Sequence, residues 1–270
     1  RETPTPKIEI TDNIDSPPVF SDEQKIMGDK DIAVVIGIER YRKLPRAEYS
    51  YNDAKTVKTY LKSLGFAERN IKFLSDEEAT LSGINSSIGT WLPNRVKKES
   101  RVFVYYSGHG SPDPVSGEAY LMPHDGDPNY LKDTGYPLKK LYESLSKLDA
   151  ADVSVVMDSC FSGSGGRSVL AKGARPAVVV IEDPVLASRN IAVLSSTQGA
   201  QISTSFTEKE HGLFTYYFLK AIKEGKKDLA EIYIYIKPLI EDEARAQNVE
   251  QSPSLKPGPE LVKERFGLRR

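Results

Sequence analysis

Short runs of consecutive apolar residues alternate with longer stretches of helical period along most of this chain. The first run, Ile32-Ala33-Val34-Val35-Ile36-Gly37-Ile38, contains no polar side chain, and similar runs follow over residues 102–106, 153–157 and 191–194. Such continuity predicts strands covered on both faces, because a half-solvated strand would alternate apolar with polar. Helical patterns occupy 52–64, 81–97, 138–148 and 211–223. A last one over 228–246 starts at an acidic residue and carries Ile232, Ile236, Leu239 and Ile240 on one face, with Pro238 expected to kink it. Strands alternating with helices of this length predict an α/β fold in three layers, α/β/α, around a mainly parallel central sheet.

Residues 1–30 show neither period and contain Thr-Pro-Thr-Pro and Ser16-Pro17-Pro18, so they read as a linker or N-terminal extension. The domain proper is placed over 31–258, and 259–270 reads as a tail; Pro253, Pro257 and Pro259 suggest irregular structure there. The start at Arg1, without methionine or apolar signal segment, gives the look of a fragment or processed form and leaves localisation open between cytoplasmic and exported.

Composition narrows the function classes. No run approaches 18 apolar residues, so no membrane span is expected and the chain reads as soluble. There are 37 Lys and Arg against 38 Asp and Glu, without a sustained basic block, so nucleic acid is not an expected partner. A single cysteine rules out an intramolecular disulfide and turns attention to its reactivity.

In open α/β sheets the working residues gather beyond the carboxyl ends of the strands. One strand runs into Ser107-Gly108-His109-Gly110, another into Asp158-Ser159-Cys160-Phe161-Ser162-Gly163. A cysteine is often only a small core hydrophobe, but Cys160 lies past the apolar run among Ser and Gly. A catalytic thiol needs a base, since at a pKa of about 8.5 little is thiolate at neutral pH; His109 at the neighbouring strand end can supply it. Of the other two histidines, His124 beside Pro123 and Asp125 reads as a loop residue, and His211 before Gly212 as a helix-start residue.

With those motifs in that order, about 50 residues apart, the chain resembles the metacaspases and the caspase-like peptidases of prokaryotes. The likeness extends over about residues 31–225, through Val35-Ile36-Gly37-Ile38, Asn52-Asp53-Ala54 and His211-Gly212-Leu213-Phe214-Thr215. It implies a caspase-like fold and a cysteine endopeptidase acting on protein or peptide substrates through a Cys-His dyad. Cys160 would be the nucleophile, His109 the proton carrier, and the N–H groups of Gly110 and Cys160 the oxyanion hole. It also implies a primary specificity pocket lined by Asp158, Asp53 and Ser107. Asp158 stands where animal caspases carry glutamine, so cleavage after Arg or Lys is expected. Asp53 also suits a helix first turn and Ser107 a plain turn. Self-processing is expected near Arg167, Lys172 or Arg175, in the glycine-rich, basic stretch over 162–188, part of which (177–181) reads as a hairpin. Calcium-dependent relatives use clustered aspartates, two of them adjacent; Asp125, Asp127 and Asp133 are spread out and read as turn formers, so no cofactor or metal is expected.

Other classes fit less well. Gly163-Ser164-Gly165-Gly166 completes neither phosphate-binding glycine pattern, because Ser168 stands where the last glycine should be, and Ser162 and Ser164 lack the serine-hydrolase frame. A catalytically silent caspase-like scaffold that binds protein partners is the remaining alternative, as is a pocket in which Arg46 receives acidic substrates.

Overall fold

The computed structural model describes residues 13–20, 28–162, 166–170, 190–199 and 201–268. Its centre is a six-stranded sheet. In chain order the strands are β1 (Ile32–Gly37), β2 (Ile71–Ser75), β3 (Arg101–Ser107), β7 (Asp152–Asp158), β8 (Ile191–Ser195) and β11 (Ser254–Lys256). Across the sheet the order is β11-β8-β7-β3-β1-β2, parallel throughout except for β11 against β8. The three-layer, mainly parallel expectation is met.

The uninterrupted apolar runs have the predicted cause. Successive side chains leave opposite faces of a strand, and both faces are covered. Ala33, Val35, Phe103, Tyr105 and Val156 join one core, with helices α1 (Ser50–Ser63), α5 (Leu213–Lys223) and α6 (Leu229–Ala246). Val34, Ile36, Val102, Val104 and Val155 join the other, with α2 (Leu81–Ser86) and α4 (Leu138–Ser146). Smaller strands β4 (Gly110–Pro112), β5 (Ala119–Leu121) and β6 (Tyr136–Pro137) form a three-stranded antiparallel sheet beyond the end of β3, and β9 (Ser205–Phe206) pairs with β10 (His211–Gly212).

Several elements differ from the sequence expectation. The helix expected over 81–97 is α-helical only to Ser86 and then widens into a π turn over Ser87–Trp91, where Leu92 N donates to Ser87 O (2.9 Å). Ser, Gly and Thr in that stretch give little helical preference to resist the change. Helix α6, by contrast, spans Leu229–Ala246 with Pro238 inside it, as its pattern predicts. Ile14 and Phe20, within the stretch read as a linker, are buried in the first core. Beyond β11, Val262 of α7 (Pro259–Val262), Phe266 and Leu268 are buried there too. The hairpin expected over 177–181 lies outside the described residues, as do Lys172 and Arg175. Among the described residues no helix is long and apolar enough to cross a membrane.

Asp228 ties the chain's end to the domain. Its Oδ1 accepts from Ala230 N and Glu231 N at the start of α6 (both 2.9 Å), and its Oδ2 accepts from Glu264 N (2.9 Å). Loss of such a cap costs about 1–2 kcal/mol. Asp228→Ala is therefore expected to lower the unfolding free energy by that amount, measured by urea denaturation followed by circular dichroism, and Asp228→Asn to recover most of it.

Candidate active site

The register of two neighbouring strands brings the dyad candidates together. Ser107 at the end of β3 pairs with Asp158 at the end of β7. His109 and Cys160 each lie two residues further on, so the two parallel strands release them at the same edge and the same height. Gly108 N, between them, donates to Asp158 O (3.3 Å). Gly110 has a physical reason to be glycine: a Cβ there would collide with the Cys160 carbonyl and the Phe161 ring, so the turn carrying the cysteine packs directly on the backbone after the histidine.

His109 is held on every side but one. Its backbone N–H donates to Tyr41 Oη (2.7 Å), its carbonyl accepts from Tyr106 Oη (2.6 Å) and Met122 N (3.0 Å), and the Tyr41 ring lies against the imidazole, 4.9 Å between centroids. On the ring, Nε2 faces Pro45 O at 2.9 Å. A carbonyl can only accept, so Nε2 carries the hydrogen. Nδ1 then keeps its lone pair, and among the described residues it is buried without a hydrogen-bond partner. That nitrogen is the one able to take a proton from a thiol. Burial pushes the His109 pKa below the ordinary imidazole value, against the hydrogen bond to Pro45 O. Cys160 is fully buried; its Sγ donates to Gln201 O (2.6 Å) and lies 3.0 Å from Ser162 Oγ.

Beside His109 and Cys160, the three residues Asp53, Ser107 and Asp158 converge on one buried pocket, and the pocket is occupied. Arg167 fills it. Its Nη2 pairs with Asp53 Oδ2 (2.9 Å) and its Nη1 with Asp158 Oδ1 (3.0 Å). Nη1 also donates to Ser107 Oγ (2.7 Å) and Nη2 to Glu48 O (3.0 Å). The Arg167 side chain is 3% exposed and both carboxylates 0%. Gly110 N, expected to serve an oxyanion, donates to Arg167 O at 2.9 Å. Both the side chain and the carbonyl of Arg167 thus engage groups that the resemblance assigns to substrate recognition.

Helix α5 makes the two carboxylates tolerable. Gly212 N donates to Asp53 Oδ1 (3.0 Å), Thr215 N to Asp158 Oδ2 (3.2 Å), and Thr215 Oγ1 to the same oxygen (2.7 Å), so the positive end of the helix faces both acids. A side chain on Gly212 would strike Asp158 and Arg167. Ser203 Oγ adds a bond to Asp158 Oδ1 (2.7 Å). Burial alone would raise both acids. For Asp53 the Arg167 charge and the His211 hydrogen bond outweigh it and hold the pKa below the usual carboxylate value. For Asp158 burial, reinforced by the Asp53 charge, prevails over Arg167 and the pKa lies above it.

His211 differs from its sequence assignment. It is not a helix-start residue; it sits in β10, fully buried, with Nδ1 2.8 Å from Asp53 Oδ1 and Nε2 3.1 Å from Asp15 Oδ1. The capture of Gly212 N by Asp53 delays the helix to Leu213. Burial opposes a charge on His211, yet the bonds and charges of Asp53 and Asp15 hold its pKa above the ordinary value. His124 is a loop residue as expected, donating from Nδ1 to Arg40 O (2.6 Å). Arg46 stays out of the pocket: it is half exposed and pairs with Glu39 and, at 3.9 Å, Glu48. Asp125 accepts from Leu81 N, and Asp127 from Asn129 N and Lys43 Nζ. The sequence alone pointed neither to Pro45, whose contribution is a backbone atom, nor to Arg167 as the pocket's occupant.

Comparison with known proteins bears on the family and the fold. A family model described as Caspase domain matches residues 30–259. A paracaspase of Dictyostelium discoideum is 26% identical over 205 residues, covering 73% of this chain and 45% of that protein, so the chain spans less than half that relative's length. A solved structure from Geobacter sulfurreducens superposes with a TM-score of 0.62 at 20% identity, over 88% of this chain and 97% of that one. Caspase-1 from Spodoptera frugiperda superposes at 0.55 and 14%, over 95% and 94% respectively. The sheet with its flanking helices has the caspase-like arrangement.

The pKa values of His109 and His211 are displaced in opposite directions, which a titration can read. In histidine-labelled protein followed by NMR, the His109 midpoint is expected below about 6.5 and the His211 midpoint above it. A His109 midpoint above that value would contradict the neutral, Nε2-protonated base.

Proposed function

This chain belongs to the caspase-domain family, and on that premise we propose that it is a cysteine endopeptidase that cleaves after arginine or lysine by a Cys160-His109 dyad. The observation that carries the specificity is the Arg167 guanidinium seated between Asp53 and Asp158. A pocket that holds one arginine with a separate carboxylate on each terminal nitrogen has the charge and spacing to receive another. An acidic side chain would bring like charge to a site sealed from water.

In the proposed reaction, His109 Nδ1 takes the Cys160 proton and the thiolate attacks the carbonyl carbon after the basic residue. The developing oxyanion is received by the N–H groups of Gly110 and Cys160. His109 then gives its proton to the departing amine as the C–N bond breaks, leaving a thioester on Cys160. Water, losing a proton to His109, hydrolyses the thioester and restores the thiol. The Pro45 carbonyl keeps Nε2 protonated, and so keeps Nδ1 the reacting nitrogen. Arg167 narrows the self-processing proposal: with its side chain in the pocket and its carbonyl on Gly110 N, the Arg167-Ser168 bond is the favoured cut.

Fluorogenic peptides that differ only in Arg, Lys or Asp before the scissile bond test the specificity. Arg is expected to exceed Asp by about 30-fold or more in kcat/KM, with Asp158→Asn losing much of that margin; faster hydrolysis of the Asp peptide would sink the pocket assignment. Cys160→Ala should lower turnover by at least about 10⁴-fold and remove labelling by an electrophilic peptide, whereas a binding scaffold would turn over no peptide in either form. Intact-mass spectra of the active chain beside Cys160→Ala are expected to show a break after Arg167 in the former only, and identical masses would count against self-processing.

A further inference from the structure

The pocket's two carboxylates are not held in the same way. Asp158 is fixed by Ser203 Oγ, Thr215 N and Thr215 Oγ1, all from the walls of the pocket. Asp53 presents Oδ2 to Ser107 Oγ (3.0 Å) and to the guanidinium, while its Oδ1 is turned away, toward Gly212 N and His211 Nδ1. Behind His211 stands Asp15, 3.1 Å from Nε2, on a segment that is itself anchored: Ile14 is buried in the core, and Lys223 Nζ donates to Asn13 O (2.7 Å) and Ser16 O (3.3 Å). The Asn52 amide flanks the same ring nitrogen at 3.3 Å.

We infer that His211 is a positioning residue of the specificity pocket: it grips Asp53 Oδ1 so that Oδ2 meets one arm of a substrate guanidinium, with Asp15 bracing the imidazole from behind. The inference rests on the basic-specificity assignment above. His211 makes no contact with the substrate cation and acts only through Asp53.

The consequence separates arginine from lysine. A guanidinium needs two acceptors at a fixed separation, which Asp158 Oδ1 and Asp53 Oδ2 provide at 3.0 and 2.9 Å from Nη1 and Nη2. An ammonium is a single point charge with rotatable donors and follows a carboxylate that swings. Release of Asp53 from its clamp therefore weakens arginine recognition more than lysine recognition.

The appropriate measure is the ratio of kcat/KM for two peptides that differ only in Arg or Lys before the scissile bond. Displacement of Arg167 and any inactive fraction scale both rates equally and cancel from that ratio. His211→Ala is expected to lower the Arg:Lys ratio about tenfold, the loss of one charge-assisted hydrogen bond. His211→Asn, whose amide can stand in for the Nδ1 donor, should keep most of it, and Asp15→Ala should lower it less than His211→Ala. An unchanged ratio in His211→Ala overturns the inference while leaving the pocket intact, and so does a wild-type enzyme that cuts after Arg and Lys equally. A loss in His211→Ala that His211→Asn fails to restore refutes the Nδ1 clamp. A wild-type enzyme with no preference for basic residues refutes the pocket assignment itself.

Discussion

A guanidinium sealed from water between two sealed carboxylates is the interaction around which the rest of this structure is arranged. Removing an ion from water costs several kcal/mol even after relaxation, and the cost is offset only when partners lie in good geometry and every remaining donor and acceptor is served. Here nearly all are served: Arg167 reaches Asp53, Asp158, Ser107 and the Glu48 carbonyl, and among the described residues only its Nε–H lacks a partner. The elements that serve them are the ends of β3 and β7, the first turn of α1 and the N-terminus of α5. The pocket therefore holds four elements of the domain in one register, and the cation completes it.

On the specificity proposed above, the cation that belongs to the chain is a resident competitor of the substrate. A tethered group presents itself at an effective concentration of the order of millimolar, and a substrate must displace it before the carboxylates are available. The apparent affinity for any basic peptide is reduced by the fraction of molecules in which Arg167 is still seated. A stronger pocket does not escape this, since it binds its own arginine more tightly as well. Only a change that separates Arg167 from the pocket, such as a break in the chain beside it, lifts the penalty.

The fold was legible because its causes are local. Runs such as Ile32 to Ile38 have no solvated face, so they had to be interior strands, and glycine-flanked His109 and Cys160 marked the ends of two of them. Asp53, Ser107 and Asp158 were reached through resemblance, and the structure supplies the reason they belong together: strand register and the first turn of α1 converge there. Long-range pairings were not legible. Nothing around His211 reveals that its partners are 158 and 196 residues away, although a histidine ahead of Gly212 at a helix N-terminus does mark a place that favours an anion. The burial of Ile14 and Phe20 was hidden for a similar reason. A proline-broken stretch carries no period, and two anchoring side chains are too few to create one.

The Pro45 carbonyl differs in kind from the two side chains of the proposed dyad. It fixes which nitrogen of His109 is free, yet it belongs to the backbone, in a loop held by Asp76 Oδ1 accepting from Glu39 N and Arg40 N and by the bond from His124 to Arg40 O. Exchanging one side chain at position 45 for another leaves that oxygen in the chain. An alanine scan would consequently count two partners where the proposed chemistry uses three, and comparison of residue identities among relatives would miss the third altogether. What is preserved at that point is the path of the main chain, which can persist while the letters that encode it drift.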